Sequence, residues 1–424
     1  MVQYIWLVAA DGVTAGEPFM SLDITSLQSA LATSGPPLFF PDPETPVVFN
    51  FDQGLAAPES FPTADLVRLA RLVLDRDGPK VLDYFDPATG YEELVLGYKG
   101  LRRRLAQRIA DQQGKSLGPD GIILTSGSVQ GIALAISGYV NPGDVVIAEA
   151  ASFPYALRYV AMAGGELRTV PLDNQGMDVD ALARLLETVK AEGKRVKMVY
   201  TIPTFQTPTN TEMSLPRRKK LVELAARWEF MILEDDVYGD LRFAGTPLPT
   251  LLSLDHAGLV MQCGSFSKIV APALRLGWIA GRPQAIAGLA AVRQDLGVAQ
   301  WLARVMDEYM AEGLLEPHLV RVNAIYKSKA ETAVRAVKEH CGNYVSFNVP
   351  QGSFYLWLEI DDRVDWARAA RMAQAAGIFF RPGERFMGTA DNRQFLRLAY
   401  SHVSEDVIAQ GIAKLGEILR QCAR

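Results

Sequence analysis

GSFSKIVAPALR, Gly264 to Arg275, follows the apolar run GLVMQ (258–262) and sets two serines, a lysine and an arginine in one short segment. An apolar run of that length reads as a buried strand, so Lys268 falls just past a strand end, with small hydroxyls before it and Arg275 after it. Six further runs of strand length surround it: GIILT (121–125), DVVIAEA (144–150), ELRTVP (166–171), VKMVYTI (196–202), EFMILE (229–234) and LGWIAG (276–281). Between them, DVDALARLLETVKAEG (178–193) and LPRRKKLVELAARW (215–228) carry apolar residues at helical spacing, the second with Ser214 and Pro216 as start signals. The alternation predicts a large α/β domain, a mostly parallel sheet covered by helices. Long helices over 283–340, then the hairpin-like YVSFNVPQGSFYLWLEI (344–360) and FLRLAYS (395–401), predict a smaller α+β domain.

The wider composition agrees with a globular protein. The chain has 424 residues, about half of them hydrophobic, enough for a large core and two unequal lobes. A net charge of -5 without long single-sign runs gives no nucleic-acid surface. Three scattered cysteines, Cys263, Cys341 and Cys422, form neither a disulfide framework nor a zinc site, which predicts a reduced, cytoplasmic setting. The opening MVQYIWLVAADG lacks a basic flank and is too short to span a membrane. The four histidines stand alone, so no metal is expected. The proline-rich start, with PPLFFPDPETP (36–46), reads as an extended arm.

Ligands of such sheets bind beyond the carboxyl ends of the strands, and the chemical motifs fall there. SGSVQG, from Ser126, opens a helix with small residues, either an anion site or an ordinary cap. Phe153 in EAASFPYA could stack on a planar ligand or belong to the core. ILEDDVYGD ends a strand in Asp235, Asp236 and Tyr238, and a carboxylate at that depth calls for a cation. Around Lys268, the serine hydroxyls and Arg275 could hold a phosphate, while the amine could form an imine with an aldehyde. A phosphate, a planar ring, a buried cation and an aldehyde together describe pyridoxal 5'-phosphate.

On these residues the chain resembles the fold-type I pyridoxal-phosphate enzymes of the class I/II aminotransferase family, nearest in pattern to the 2-aminoadipate and kynurenine aminotransferase branch. The likeness runs from FDQGLAAPESFP (51–62) to FLRLAYS. It implies a large domain over 76–312 with a seven-stranded sheet, a small domain over 313–424, and an N-terminal arm joined to part of the small domain over 1–75. It implies that Lys268 forms the imine with the cofactor and shuttles the substrate proton, that Asp235 pairs with the pyridine nitrogen, and that Tyr238 bonds the phenolic oxygen. Phe153 takes the stacking place. Gly127, Ser128, Val129, Ser265, Ser267 and Arg275 resemble the phosphate cup, and Tyr84 resembles the tyrosine that reaches a neighbouring subunit's phosphate in a homodimer with shared sites. Arg397 is similar to the arginine that binds the substrate α-carboxylate, and Gly54 lies in the arm that closes over the substrate. The implied activity moves an amino group between an L-amino acid and a 2-oxo acid.

Three segments depart from the family pattern. Where the family has Asn-Pro-Thr-Gly, this chain reads Thr207-Pro208-Thr209-Asn210, so a shorter hydroxyl faces the phenolic oxygen. About seven extra residues precede Leu101-Arg102. Arg381, Glu384 and Arg385 surround a Pro-Gly turn, where they could read a large or phosphorylated substrate or simply be solvated. The first two departures leave open an alternative on the same fold: elimination, replacement or carbon–carbon bond formation in specialised biosynthesis. A cofactor-sensing transcription factor is a third reading, against which the acidic, proline-rich start stands.

Overall fold

The computed structural model describes residues 28–29, 46–85, 88, 90–388, 391 and 393–424; most of the proline-rich arm lies outside the described residues. Seven strands form one sheet: β2 (Ile122–Thr125), β3 (Val145–Glu149), β4 (Glu166–Val170), β7 (Val196–Thr201), β8 (Met231–Asp235), β9 (Val260–Ser265) and β10 (Gly277–Ala280), in the order β2-β10-β9-β8-β7-β3-β4. Only β10 runs antiparallel to its neighbours. The two-residue strands β5 (Leu172–Asp173) and β6 (Gly176–Met177) pair with each other beside it. Apart from the edge strand β4, which is mostly half-buried, the strands are buried on both faces because helices cover both. Ile122, Leu124, Val145, Ile147, Val199, Ile232 and Val260 belong to one core. Their alternates Ile123, Val146, Ala148, Met198, Leu233, Met261 and Ile279 belong to another. This period of two, with both faces covered, is why the central strands read as apolar runs.

A second sheet joins β1 (Phe49–Phe51), β11 (Val345–Ser346), β12 (Tyr355–Ile360), β13 (Ile378–Pro382) and β14 (Gln394–Ala399) in the order β1-β13-β14-β12-β11. Leu356, Leu358, Leu396, Leu398 and Phe51 fill its core with Ile408, Ile412, Leu415 and Leu419 of the helix Glu405–Cys422. The opposite face of the same strands presents Tyr355, Trp357 and Arg397, with Trp357 opposite Arg397 across the β12–β14 ladder. Part of the extra segment before Leu101 folds as the helix Glu92–Leu96, tied down by fully buried Arg102, which donates to the carbonyls of Gly97 and Pro119 and pairs with Glu92. Among the described residues no helix is long and apolar enough to cross a membrane, and no His/Cys/Asp/Glu group could hold a metal ion. All three cysteines are free and buried.

Candidate active site

Five strands with a common direction bring their carboxyl ends to one edge of the large sheet. That edge gathers Ser126–Val129 after β2, Phe153 after β3, Thr207 after β7, Asp235–Tyr238 at the end of β8 and Ser265–Lys268 at the end of β9. Lys268 lies in the one-turn helix Phe266–Ile269, whose N-cap Ser265 accepts the Ser267 N–H. Its Nζ donates to the Gly54 carbonyl at 2.8 Å and stands 5.8 Å from the Phe354 ring and 6.0 Å from the Tyr238 ring. Burial, with Arg397 and Arg275 nearby, holds the ammonium below the usual lysine range, against the pull of Tyr355 and Asp235.

Asp235 is buried at the floor. One carboxylate oxygen accepts from the Tyr200 hydroxyl at 2.7 Å, and the other, Oδ1, has no partner. Burial pushes this carboxyl up to about 6, with Tyr200 and Lys268 pulling it partway back. A buried carboxylate oxygen left open calls for a donor, and a cationic one above all. Tyr238 sits above with its hydroxyl on the Tyr355 hydroxyl at 2.5 Å.

At the other end, the helix Ser128–Tyr139 begins at Gly127, φ 82°, with no side-chain cap on its first N–H groups. Arg275 lies across this terminus: its Nη2 donates to the Ser126 carbonyl at 2.7 Å, and a Cβ on Gly127 would come within 2.8 Å of it. Arg275 is exposed and no carboxylate pairs with it among the described residues. The Ser267 hydroxyl likewise makes no hydrogen bond there. Free helix N–H groups, a guanidinium and a hydroxyl form an anion cradle. Phe153, half-buried at the start of the helix Pro154–Met162, stands 5.3 Å from Tyr155.

Facing Lys268 from the small sheet is Arg397. It is buried, donates to the Asp52 carbonyl at 2.7 Å, and lies over the Tyr355 ring at 4.2 Å and the Phe386 ring at 4.9 Å. Its Nε has no partner and no carboxylate reaches it among the described residues. The segment after β1 thus lies across the site: the carbonyls of Asp52 and Gly54 receive the two cations, Ser401 donates to Leu55 O at 2.5 Å, and Tyr326 accepts the Ala57 N–H at 3.0 Å.

The expected residues therefore converge except for one. Tyr84 is 63% exposed and its described contacts do not reach the others. Thr207 is buried in the loop after β7, its side chain without a hydrogen bond among the described residues. The loop is nevertheless well held, because Asn210 adopts φ 58° and donates to the carbonyls of Gly352 at 3.2 Å and Tyr355 at 3.0 Å. Asn210→Ala is expected to lose both bonds and strain a left-handed backbone, costing about 2–3 kcal/mol. Asn210→Gly, which keeps the backbone free, should cost about half of that; thermal melts of the two variants check the order.

Arg381 departs from the solvated and substrate-reading accounts alike. It is paired to Asp52 through two bonds, at 2.8 and 2.7 Å, and sits opposite Arg397 across the β13–β14 ladder. Sequence reasoning also passed over Tyr200, Asp52, Phe354 and Tyr355. Tyr355 had a usable signal, an aromatic hydroxyl at the start of the strand that follows the turn QGSF.

Comparison with known proteins follows the same lines. Residues 93–415 match the family described as aminotransferase class I and II. Aromatic-amino-acid aminotransferase 1 of Thermococcus litoralis is 33% identical over 89% of this chain and 89% of its own. The 2-aminoadipate transaminase of Thermus thermophilus is 30% identical over 89% of this chain and 91% of its own. A crystal structure of Pyrococcus horikoshii kynurenine aminotransferase, in complex with PMP and with kynurenine as substrate, superposes with a TM-score of 0.86 at 31% identity, covering 94% of this chain and 98% of that one.

Proposed function

Because the chain belongs to the class I and II aminotransferase family, with its α/β fold-type I architecture and its dependence on pyridoxal 5'-phosphate, we propose that Lys268, Asp235, Tyr238, Arg275 and Arg397 are the working parts of its amino-group transfer. The substrates are an amino acid and a 2-oxo acid. The elimination, replacement and carbon–carbon alternative is not favoured by these relatives.

Pyridoxal 5'-phosphate supplies, when bound, an aldehyde carbon for the amino group and a ring that withdraws electron density from the substrate Cα. The open Oδ1 of Asp235 is placed to take a ring N–H, a fit that offsets the burial of its charge. Arg275, Ser265, Ser267 and the N–H groups of Ser128 and Val129 would hold the phosphate, with Gly127, whose own N–H donates to the Thr125 carbonyl, leaving room for it beside Arg275. Phe153 would cover the ring face, and Tyr238 would address the phenolic oxygen, with Thr207 as a shorter hydroxyl than the family's asparagine. Arg397 leaves the Asp52 carbonyl to take the substrate α-carboxylate in a bidentate fork. Lys268, its ammonium destabilised by burial and by two arginines, is the amine placed to accept the proton at the substrate Cα.

Arg397 carries this reading: a buried guanidinium with an open Nε, opposite Lys268, lacks any carboxylate of its own among the described residues. Arg397→Ala is expected to raise KM by about 10²–10³-fold for every amino donor alike. An unchanged KM, or a rise confined to one side-chain class, would remove the α-carboxylate assignment. For the donor we propose an L-amino acid with a long or aromatic side chain, the range that the relatives' names span. We further propose a cytoplasmic homodimer in which exposed Tyr84 serves the neighbouring phosphate, and lobe boundaries near 75 and 312, which the separate core of the second sheet supports.

A further inference from the structure

Tyr355 opens β12 on the same sheet face as Arg397 and is 3% exposed. Its hydroxyl bonds the Tyr238 hydroxyl, and the two rings meet edge to face at 5.8 Å and 83°. The Arg397 guanidinium lies over its ring. Its oxygen presses against Gly54, where an added Cβ would fall 2.0 Å from it, and the carbonyl of that glycine receives Lys268. Its own carbonyl is held by Asn210. This one side chain therefore touches the tyrosine of the cofactor pocket, the carboxylate-binding arginine and the backbone beneath the lysine.

Two phenols that share one bond have two protons between them, one inside the bond and one free. Neither hydroxyl has another partner among the described residues. If Tyr355 donates to Tyr238, the Tyr238 proton is released to point elsewhere, and a donor that is itself receiving a bond donates more strongly. We propose that Tyr355 is a positioning residue for amino transfer: its hydroxyl fixes the Tyr238 hydroxyl as the donor aimed at the cofactor's phenolic oxygen, in the place where Thr207 is too short to help.

The charges around the pair favour that direction of donation. Arg397 and Arg381 face it from the small sheet, Lys268 from the end of β9 and Asp235 from the end of β8, while Asp52 balances the two arginines from the segment after β1. Against the effect of burial, Arg397 and Lys268 pull the Tyr355 phenol below its ordinary range, whereas burial and Tyr355 itself push Tyr238 well above it. The more acidic phenol is the donor. The proposal rests on the assignment of Tyr238 made above.

The test compares holoenzymes of wild type, Tyr355→Phe, Tyr238→Phe and the double variant, by pH titration of the bound cofactor's absorbance and by kcat/KM. Phenylalanine keeps the ring contacts with Arg397 and Phe354. With one donor weakened, the anionic phenolic oxygen loses support, so Tyr355→Phe should move the absorbance midpoint upward by about half a unit or more. It should also lower kcat/KM roughly tenfold, and add little to Tyr238→Phe in the double variant, as for partners in one bond. A midpoint for Tyr355→Phe equal to wild type, or losses that multiply in the double variant, would overturn the proposal. If Tyr238→Phe itself changes neither midpoint nor rate, the assignment of Tyr238 falls first and that of Tyr355 with it.

Discussion

Lys268→Ala is expected to lower kcat/KM for every amino donor by about four orders of magnitude or more, while the protein still binds cofactor. The two parts of this result have separate causes. On the proposed assignment phosphate capture rests on Arg275, the Gly127–Val129 terminus and the serine hydroxyls, none of which needs the lysine side chain. On the same assignment proton removal at Cα rests on one amine; among the described residues His318 is bonded to the Ile269 carbonyl and Asp235 accepts from Tyr200. Borohydride reduction followed by peptide mass analysis checks both parts at once. The pyridoxyl group should be fixed to the peptide bearing Lys268 in wild type and should stay removable in the variant. Retained activity within about tenfold would mean that another group moves the proton.

Asp235→Asn should divide activity and stability. Without the anion opposite the ring nitrogen, kcat/KM is expected to fall about 10³-fold. Stability of the cofactor-free protein is expected to move the other way. Burial raises this carboxyl from 3.8 to about 6, so the unfolded chain ionises it at a lower pH than the folded chain does. Stability present below pH 4 is therefore lost as pH rises towards 6 and stays lost above it, a loss of about 2–3 kcal/mol. Asparagine carries no charge to bury. Its melting temperature without cofactor should match wild type near pH 4 and exceed it at pH 7. With cofactor the order should reverse, because the ring cation repays the carboxylate. Melts of both proteins across this pH range, with and without cofactor, read all four states.

Much of this fold is legible in the sequence because its determinants are local. Strands buried on both faces must be apolar throughout, so VVIAE and MILED announce themselves, and the polar residues that interrupt them at their carboxyl ends mark the site. Lys268 and Arg275, or Asp235 and Tyr238, lie within a few residues of each other. The layer above them is assembled across the chain. Tyr238 and Tyr355 are 117 residues apart, Arg397 meets the backbone of a residue 345 positions earlier, and Arg381 meets Asp52 across 329. No spacing rule joins such pairs, so Arg381 reads as a solvated loop charge when it is half of a part-buried fork. Asn210 was visible as a departure, but its use became clear only with its left-handed backbone and its two carbonyl partners. Tyr84 is the converse case, recognisable by its motif and left on the surface of a single chain.

The most direct measurement is a half-reaction: purified holoenzyme, one amino acid in excess, no oxo acid, and a count of 2-oxo acid released per active site. Amino-group transfer by this chain predicts one equivalent and then a stop, broken only by adding a second 2-oxo acid, with none released by Lys268→Ala. Continuous product formation without an acceptor, or product with no 2-oxo acid in it, would contradict transfer and assign the same residues to a different reaction.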